Sequence, residues 1–185
     1  IGFGCYIATN GLKFESVRYA EKFFSDLVIE EIRVPLHGYD ASCHERITCV
    51  QGSFKRTVKG IRNIIGIGKT KLFLTIVITS LNYRDLSKMV IFADSLGVDI
   101  IKFSGLMSQG EILRNQWLLE DLSTVQGYLE DAVELCSKLK IHYFLEKLPL
   151  CILRKQRLSK NNCIVEENTS FLKLSDCLGC ACDPL

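Results

Sequence analysis

Short β-branched and aromatic runs alternate with amphipathic helical stretches along most of this chain, and that alternation restricts its fold more than any other feature. Residues 4–8 (GCYIA) read as a strand that ends in Thr9-Asn10-Gly11, a turn sequence. From about residue 15, Val17, Ala20, Phe23, Phe24 and Leu27 share one helical face. Residues 31–36 (EIRVPL) form a second strand, followed by a polar loop through Tyr39, Asp40 and His44. Ser53 is placed to cap the next helix, which buries Phe54, Val58, Ile61 and Ile65. Residues 71–78 (KLFLTIVI) are apolar almost throughout, as expected of a strand covered on both faces. A helix over 84–96 turns Leu86, Val90, Ala93 and Leu96 inward and stops at Gly97. A fourth strand follows at 99–103 (DIIKF), then a loop to about residue 116. The next helix carries Leu122, Val125, Leu129, Val133, Cys136 and Leu139, and residues 141–145 (IHYFL) make a fifth strand.

This order implies parallel strands joined by right-handed crossovers. A strand spacing of about 27 to 41 residues fits successive βα units. The expected fold is α/β: a partial parallel (β/α) barrel, half of a TIM-like barrel, over residues 1–148. A small Cys-rich module is expected over 149–185, where the periodicity stops. In a parallel barrel chemistry gathers at the carboxyl ends of the strands. That rule nominates Thr9, Asn10 and Gly11, then His37 and Gly38, then Thr79, Ser80 and Asn82. It also nominates Ser104, Gly105, Leu106 and Met107 after the fourth strand and Glu146 after the fifth. The set is polar and mostly uncharged. It suits a polar organic cofactor better than hydrolysis, which calls for paired carboxylates or a nucleophile beside a base.

Charge and hydropathy exclude several classes. A formal net charge of +2 argues neither for nor against nucleic acid, and no nucleic-acid partner is expected. Lys55, Arg56, Lys59 and Arg62 recur along one helix as its solvated face. The longest uncharged apolar run, residues 72–83, is too short to cross a bilayer, so no membrane partner is expected. The chain opens on Ile1, inside what reads as a strand and without a secretion signal, so an upstream segment is expected to be missing. Gly66-Ile67-Gly68-Lys69-Thr70 is not a phosphate loop, because a helix precedes it and a strand follows.

Nine cysteines are present, and Cys151, Cys163, Cys177, Cys180 and Cys182 crowd the last stretch. With no secretion signal they read as metal ligands in a reducing, cytoplasmic compartment rather than as disulfides. The Cys177-x2-Cys180 spacing lets two thiolates converge on one centre. The Cys151 to Cys182 set is therefore expected to bind an iron–sulfur cluster or structural zinc, with Cys151, Cys163, Cys177 and Cys180 as ligands and Cys182 as a spare. Cys5 and Cys136 are expected to be small core residues. Cys43, His44 and Cys49 have zinc-ligand chemistry but no known zinc spacing.

Three segments together resemble the radical S-adenosylmethionine superfamily. Ile7-Ala8-Thr9-Asn10-Gly11 is similar to its third barrel strand. Arg33 to Asp40 with Cys43-His44-Glu45 and Gln51-Gly52-Ser53-Phe54 resembles the fourth strand and the loop after it. Ile78-Thr79-Ser80-Leu81-Asn82 with Asp85-Leu86 resembles the fifth. In the tail, Leu148-Pro149-Leu150-Cys151, Cys163 and Cys177-Leu178-Gly179-Cys180 resemble the auxiliary-cluster extensions called twitch or SPASM domains, cut short at Leu185. The family's Cys-x3-Cys-x2-Cys loop and Gly-Gly-Glu segment are absent from this sequence and would lie upstream of Ile1.

The resemblance implies S-adenosylmethionine and a [4Fe-4S] cluster as cofactors, with the catalytic cluster's ligands outside this chain. It implies an oxidoreductase that opens S-adenosylmethionine to a hydrogen-abstracting radical, and a fragment that does not perform this alone. Thr9, Asn10 and His37 would approach the ribose or the substrate, and Asn82 with Thr79 the ribose hydroxyls. The backbone at Phe103, Ser104 and Leu106 would face the adenine. The implied partners are a peptide or small-molecule substrate and an electron donor such as flavodoxin or ferredoxin. Two other readings stay open. One is a non-catalytic, zinc- or cluster-stabilised α/β binding protein. The other is an aldolase-type barrel, for which no lysine stands at a strand end, Lys102 lying inside its strand.

Overall fold

Six strands form one sheet, and every neighbouring pair is parallel. In a computed structural model that describes residues 4–149, 152–153 and 163–165, they are β1 (Tyr6–Ala8), β2 (Glu31–Pro35), β3 (Lys71–Val77), β4 (Ile100–Ser104), β5 (His142–Glu146) and β6 (Cys163–Val165). Their order across the sheet is their order in the chain. With right-handed crossovers, an order that never reverses puts every connecting helix on the same face. That is the winding of a barrel rather than of a doubly wound sheet. The expected partial (β/α) barrel is what the chain forms.

The helices are α1 (Val17–Asp26), α2 (Ala41–Thr48), α3 (Ser53–Ile67), α4 (Leu86–Ser95) and α5 (Leu122–Leu139). Alternate strand residues point at them, as the pleat requires. Ile32, Val34, Leu74, Ile76, Ile101, Phe103, Tyr143 and Leu145 join the core with Ala20, Phe24, Ile61, Ile64, Leu86, Val90, Leu129, Val133 and Cys136. The remaining residues of each strand lie on the opposite face. One row there runs Arg33, Phe73 and Ile100; the next runs Pro35, Thr75, Lys102 and Phe144; the last runs Val77, Ser104 and Glu146.

Several sequence expectations are corrected by this packing. The apolar stripe of α1 is narrower than its spacing suggests: Ala20 and Phe24 are buried, while Val17 and Leu27 are exposed. The loop through Tyr39, Asp40 and His44 is largely α2, with Asp40 Oδ1 accepting the Cys43 N–H at 2.8 Å as its cap. Ser53 is not a cap but the first residue of α3, buried after a left-handed Gly52 (φ 76°). Ile64 rather than Ile65 is buried beside Ile61 on α3, and Ile65 is only half-buried. β3 is not covered on both faces throughout, since Thr75 and Val77 are only half-buried. Cys136 is buried as expected but Cys5 is exposed, because β1 is an edge strand. The sheet also runs on beyond five strands: β6 pairs with β5 at Tyr143↔Cys163, inside the stretch expected to be a separate module.

Candidate functional site

The carboxyl ends of β1 to β5 bring most of the nominated residues to one edge of the sheet. At the first, Gly11 takes a left-handed φ of 77°, which glycine adopts without strain. Thr9 Oγ1 accepts the Gly11 N–H at 3.3 Å and Asn10 Oδ1 accepts the Leu12 N–H at 3.2 Å. Helix α3 clamps this turn from below. Thr57 Oγ1 donates to the Asn10 carbonyl at 3.2 Å, and the Gly11 carbonyl sits against Gly60, where a Cβ would lie 2.4 Å from its oxygen. Thr9 is half-buried and Asn10 exposed, so both stand at the rim of the edge.

After β2 the chain builds a histidine pair. The His37 N–H donates to His44 Nδ1 at 3.1 Å, and the two rings stack at 5.7 Å between centroids. Because His44 Nδ1 accepts, its proton belongs on Nε2 while the ring is neutral. Helix α2 is what returns His44 to His37, and Gly38 permits the close approach: a Cβ there would lie 2.5 Å from the His44 nitrogen. Cys43 Sγ sits 3.4 Å from the His37 carbonyl, and burial pushes its thiol up to about 11, which rules it out as a ready thiolate. Burial, with His44 beside it, lowers His37 to about 4. Burial lowers His44 as well, against the opposing pull of Glu45. Both rings are neutral at pH 7. His37 Nδ1 is shut off from water and has no hydrogen-bond partner.

Asn82 holds the next corner. Its Nδ2 donates to the His37 carbonyl at 3.1 Å and the Val77 carbonyl at 2.9 Å. Its Oδ1 accepts from the Thr79 N–H at 2.8 Å and from Thr79 Oγ1 at 3.2 Å. Two donors and two lone pairs are thereby engaged within the chain. Asn82 and Thr79, both buried, tie the exits of β2 and β3 together rather than present themselves to a ligand.

Phe103 is wholly buried on the helix side, so only its backbone faces the edge. Ser104 is buried on the opposite face and Leu106 is half-buried beyond the strand. Gly105 donates its N–H to the Glu146 carbonyl at 2.8 Å and packs so closely that a Cβ would lie 2.1 Å from the Lys147 carbonyl. The loop after it is not structureless. It contains two 3-10 turns, Gly110–Leu113 and Gln116–Leu118, and the second is fastened to the exit of β3 by Ser80. Its Oγ donates to the Trp117 carbonyl at 2.8 Å and its N–H to the Leu118 carbonyl at 2.9 Å.

Sequence reasoning missed two features here. Lys102, set aside as lying inside its strand, is 2 % exposed and reaches Glu146 Oε1 at 2.9 Å. The His37–His44 pair was hidden by reading α2 as a loop; Asp40 three residues ahead of Cys43 was the available N-cap signal. Among the described residues no three His, Cys, Asp or Glu side chains gather as metal ligands, so Cys43, His44 and Cys49 make no zinc site. Cys151, Cys177 and Cys180 lie outside the described residues, and Cys163 is described only as backbone in β6. Among the described residues no helix is long and apolar enough to cross a membrane.

No protein-family model matches the chain. A protein of Sulfurisphaera tokodaii named as a probable GTP 3′,8-cyclase is 25% identical over 177 residues, covering 94% of this chain and 51% of the relative. Among solved structures, SuiB of Streptococcus suis bound to S-adenosylmethionine superposes with a TM-score of 0.58 at 14% identity, over 88% of this chain and 32% of that one. SuiB bound to the precursor peptide SuiA gives a TM-score of 0.56 at 17% identity, over 76% of this chain and 31% of that one. The chain thus spans about half the length of the curated relative and about a third of the solved chains. The likeness to SuiB fixes the fold, and the match to the cyclase runs through nearly the whole sequence. Fold and sequence match together support the resemblance to the radical S-adenosylmethionine superfamily read from the sequence.

Proposed function

We infer that the chain is the part of a radical S-adenosylmethionine enzyme that orients the cofactor and the substrate at the carboxyl edge of its sheet. The observation that carries this reading is His37 Nδ1, a buried polar atom without a partner at that edge. An unsatisfied buried group of this kind costs about 1–3 kcal/mol. A hydroxyl or amide of a bound organic cofactor would remove that cost, so the residues fit S-adenosylmethionine. Thr9, Asn10 and His37 would hold its ribose or the adjacent substrate, and the backbone at Phe103, Ser104 and Leu106 its adenine. Thr79 and Asn82 serve by fixing the carbonyl side of His37.

Bound beside a reduced [4Fe-4S] cluster, S-adenosylmethionine supplies a hydrogen-abstracting radical, and the chain's part is orientation and exclusion of water. The described residues contain no ligand set for that cluster. Residues 149–185 are proposed as an auxiliary-cluster module of twitch or SPASM type, with Cys151, Cys163, Cys177 and Cys180 as ligands. A peptide or small-molecule substrate is supported by SuiB, solved with a precursor peptide, and by the cyclase, named for a guanine nucleotide. A flavodoxin or ferredoxin donor and a cytoplasmic setting complete the proposal.

The test is anaerobic purification of the full-length protein with iron, sulfide and zinc assays, followed by titration with S-adenosylhomocysteine. Iron and sulfide in equal amounts are expected. His37→Ala should weaken the analogue about tenfold, the loss of one hydrogen bond from a buried site. His142→Ala, an exposed change at the opposite end of β5, should leave it unaltered. Zinc without iron, or equal affinity in the wild type and His37→Ala, sinks this reading.

A further inference from the structure

The Lys102–Glu146 ion pair takes no part in the cofactor contacts described above. It lies on the sheet face away from the helices, one row from the carboxyl edge, where Lys102 pairs across with Thr75 and Phe144. Lys102 Nζ rises one row to Glu146 Oε1 at 2.9 Å, and Ser104 Oγ stands 3.2 Å from Glu146 Oε2. A buried lysine on a sheet face is costly, and a buried ion pair rarely adds stability over apolar residues of similar size. The arrangement therefore points to use rather than to support of the fold. The two ends differ in access: the Lys102 side chain is 2 % exposed and that of Glu146 is 23 %. Only the carboxylate is within a ligand's reach.

We propose that Glu146, held by Lys102 and Ser104, is a binding site for the vicinal hydroxyls of a ribose or other sugar. Lys102 and Ser104 each take one carboxylate oxygen. About half of its four or so lone-pair positions are left for a ligand. Burial works against the charge, but Lys102, with Lys147 and Ser104, outweighs it and holds the acid below its ordinary value. At neutral pH Glu146 is thus an acceptor only. Lys102 Nζ, 2.9 Å from the carboxylate, also makes the site unfavourable for a cation, since an incoming ammonium would meet it in a medium that screens poorly. Neutral donors remain. Two carboxylate oxygens side by side match two adjacent hydroxyls, the way an acidic residue takes a ribose diol in dinucleotide-binding folds. Lys102 and Ser104 are positioning residues in this scheme.

The location of the site, at the carboxyl edge, rests on the cofactor reading, but the chemistry of the pair does not. The diol has two sources, the cofactor's ribose or a nucleoside or sugar substrate, and two calorimetric arms on the full-length protein separate them. The first compares S-adenosylhomocysteine with its 2′,3′-dideoxy analogue. The second saturates the protein with S-adenosylhomocysteine and compares uridine with 2′,3′-dideoxyuridine. In one arm the diol should bind about tenfold tighter, the value of a hydrogen bond to a charged group. In Glu146→Gln that preference should fall by most of its size. Because Glu146→Gln removes a charge that faces Lys102, the Lys102→Met/Glu146→Gln double variant repeats the measurement with both members of the pair made neutral. Loss of the preference in both variants supports the proposal. No diol preference in either arm, or a preference that survives in both variants, overturns it. If S-adenosylhomocysteine binds and neither arm shows a diol preference, the proposal fails while the cofactor reading stands. If it does not bind at all, the cofactor reading fails, and the uridine comparison still decides the site.

Discussion

His37 has opposite demands placed on its two ring-facing sides, and its titration is where they become measurable. Its backbone N–H is spent on His44 and its carbonyl on Asn82 and Cys43, yet Nδ1 is buried with nothing to bond. Burial holds the ring near a pKa of about 4, against 6.5 for the unfolded chain. Between those values the unfolded chain binds a proton that the folded one does not, so stability falls as pH falls. The contribution is whole above pH 6.5, and about 2 kcal/mol of it is gone by pH 5. Urea unfolding at pH 7.5 and pH 5 should show the wild type losing about that much more than His37→Gln. Parallel losses in the two proteins would show that His37 titrates normally. The sequence placed His37 at a strand end from the Leu36-His37-Gly38 step alone. It did not reveal the partner, because His44 is seven residues on and reaches His37 only through the turn of α2.

At the scale of elements, close backbone approaches rather than side-chain charge decide where the edge residues sit. Helix α3 contains two glycines that a propensity scale treats alike, each about 1 kcal/mol worse than alanine. A Cβ on Gly66 meets nothing within 4 Å, so Gly66→Ala should stabilise the protein by roughly 0.5–1 kcal/mol. A Cβ on Gly60 would press to 2.4 Å from the Gly11 carbonyl oxygen, which is backbone and cannot swing aside. Gly60→Ala should therefore reverse the sign, destabilising by about 1–3 kcal/mol as over-packed sites do, and should displace Thr9 and Asn10. Thermal midpoints of the two variants test this pair, and equal stabilisation by both would refute the clamp. Asn82 plays the corresponding part between β2 and β3, and Gly105 between β4 and β5. In each case the sequence shows a turn-forming residue, and only the partner strand shows what the turn is pressed against.

For the molecule as a whole, the helix-side faces of β2 to β5 meet the helices in one continuous apolar layer, so these elements should unfold together. Leu74, fully buried in the middle of β3, is its most central side chain by sheet position. Leu74→Ala should cost about 2–5 kcal/mol. The shift should be equal whether read by far-ultraviolet circular dichroism or by fluorescence of Trp117, since Ser80 ties the exposed Trp117 loop to β3. An early fluorescence transition would show the loop to be a separate unit. The alternation of apolar runs, with its period of two in strands and 3.6 in helices, was enough by itself to determine the parallel α/β winding, five of the six strands and the edge where the nominated residues meet. Those are consequences of local geometry and of crossover handedness. Which strand residues carry charge on the free face, which histidine meets which, and which polar side chains are consumed inside the chain were settled only by packing. Those contacts join residues far apart in sequence, such as Lys102 with Glu146 and His37 with Asn82, and no local pattern encodes a partner across 40 or so residues.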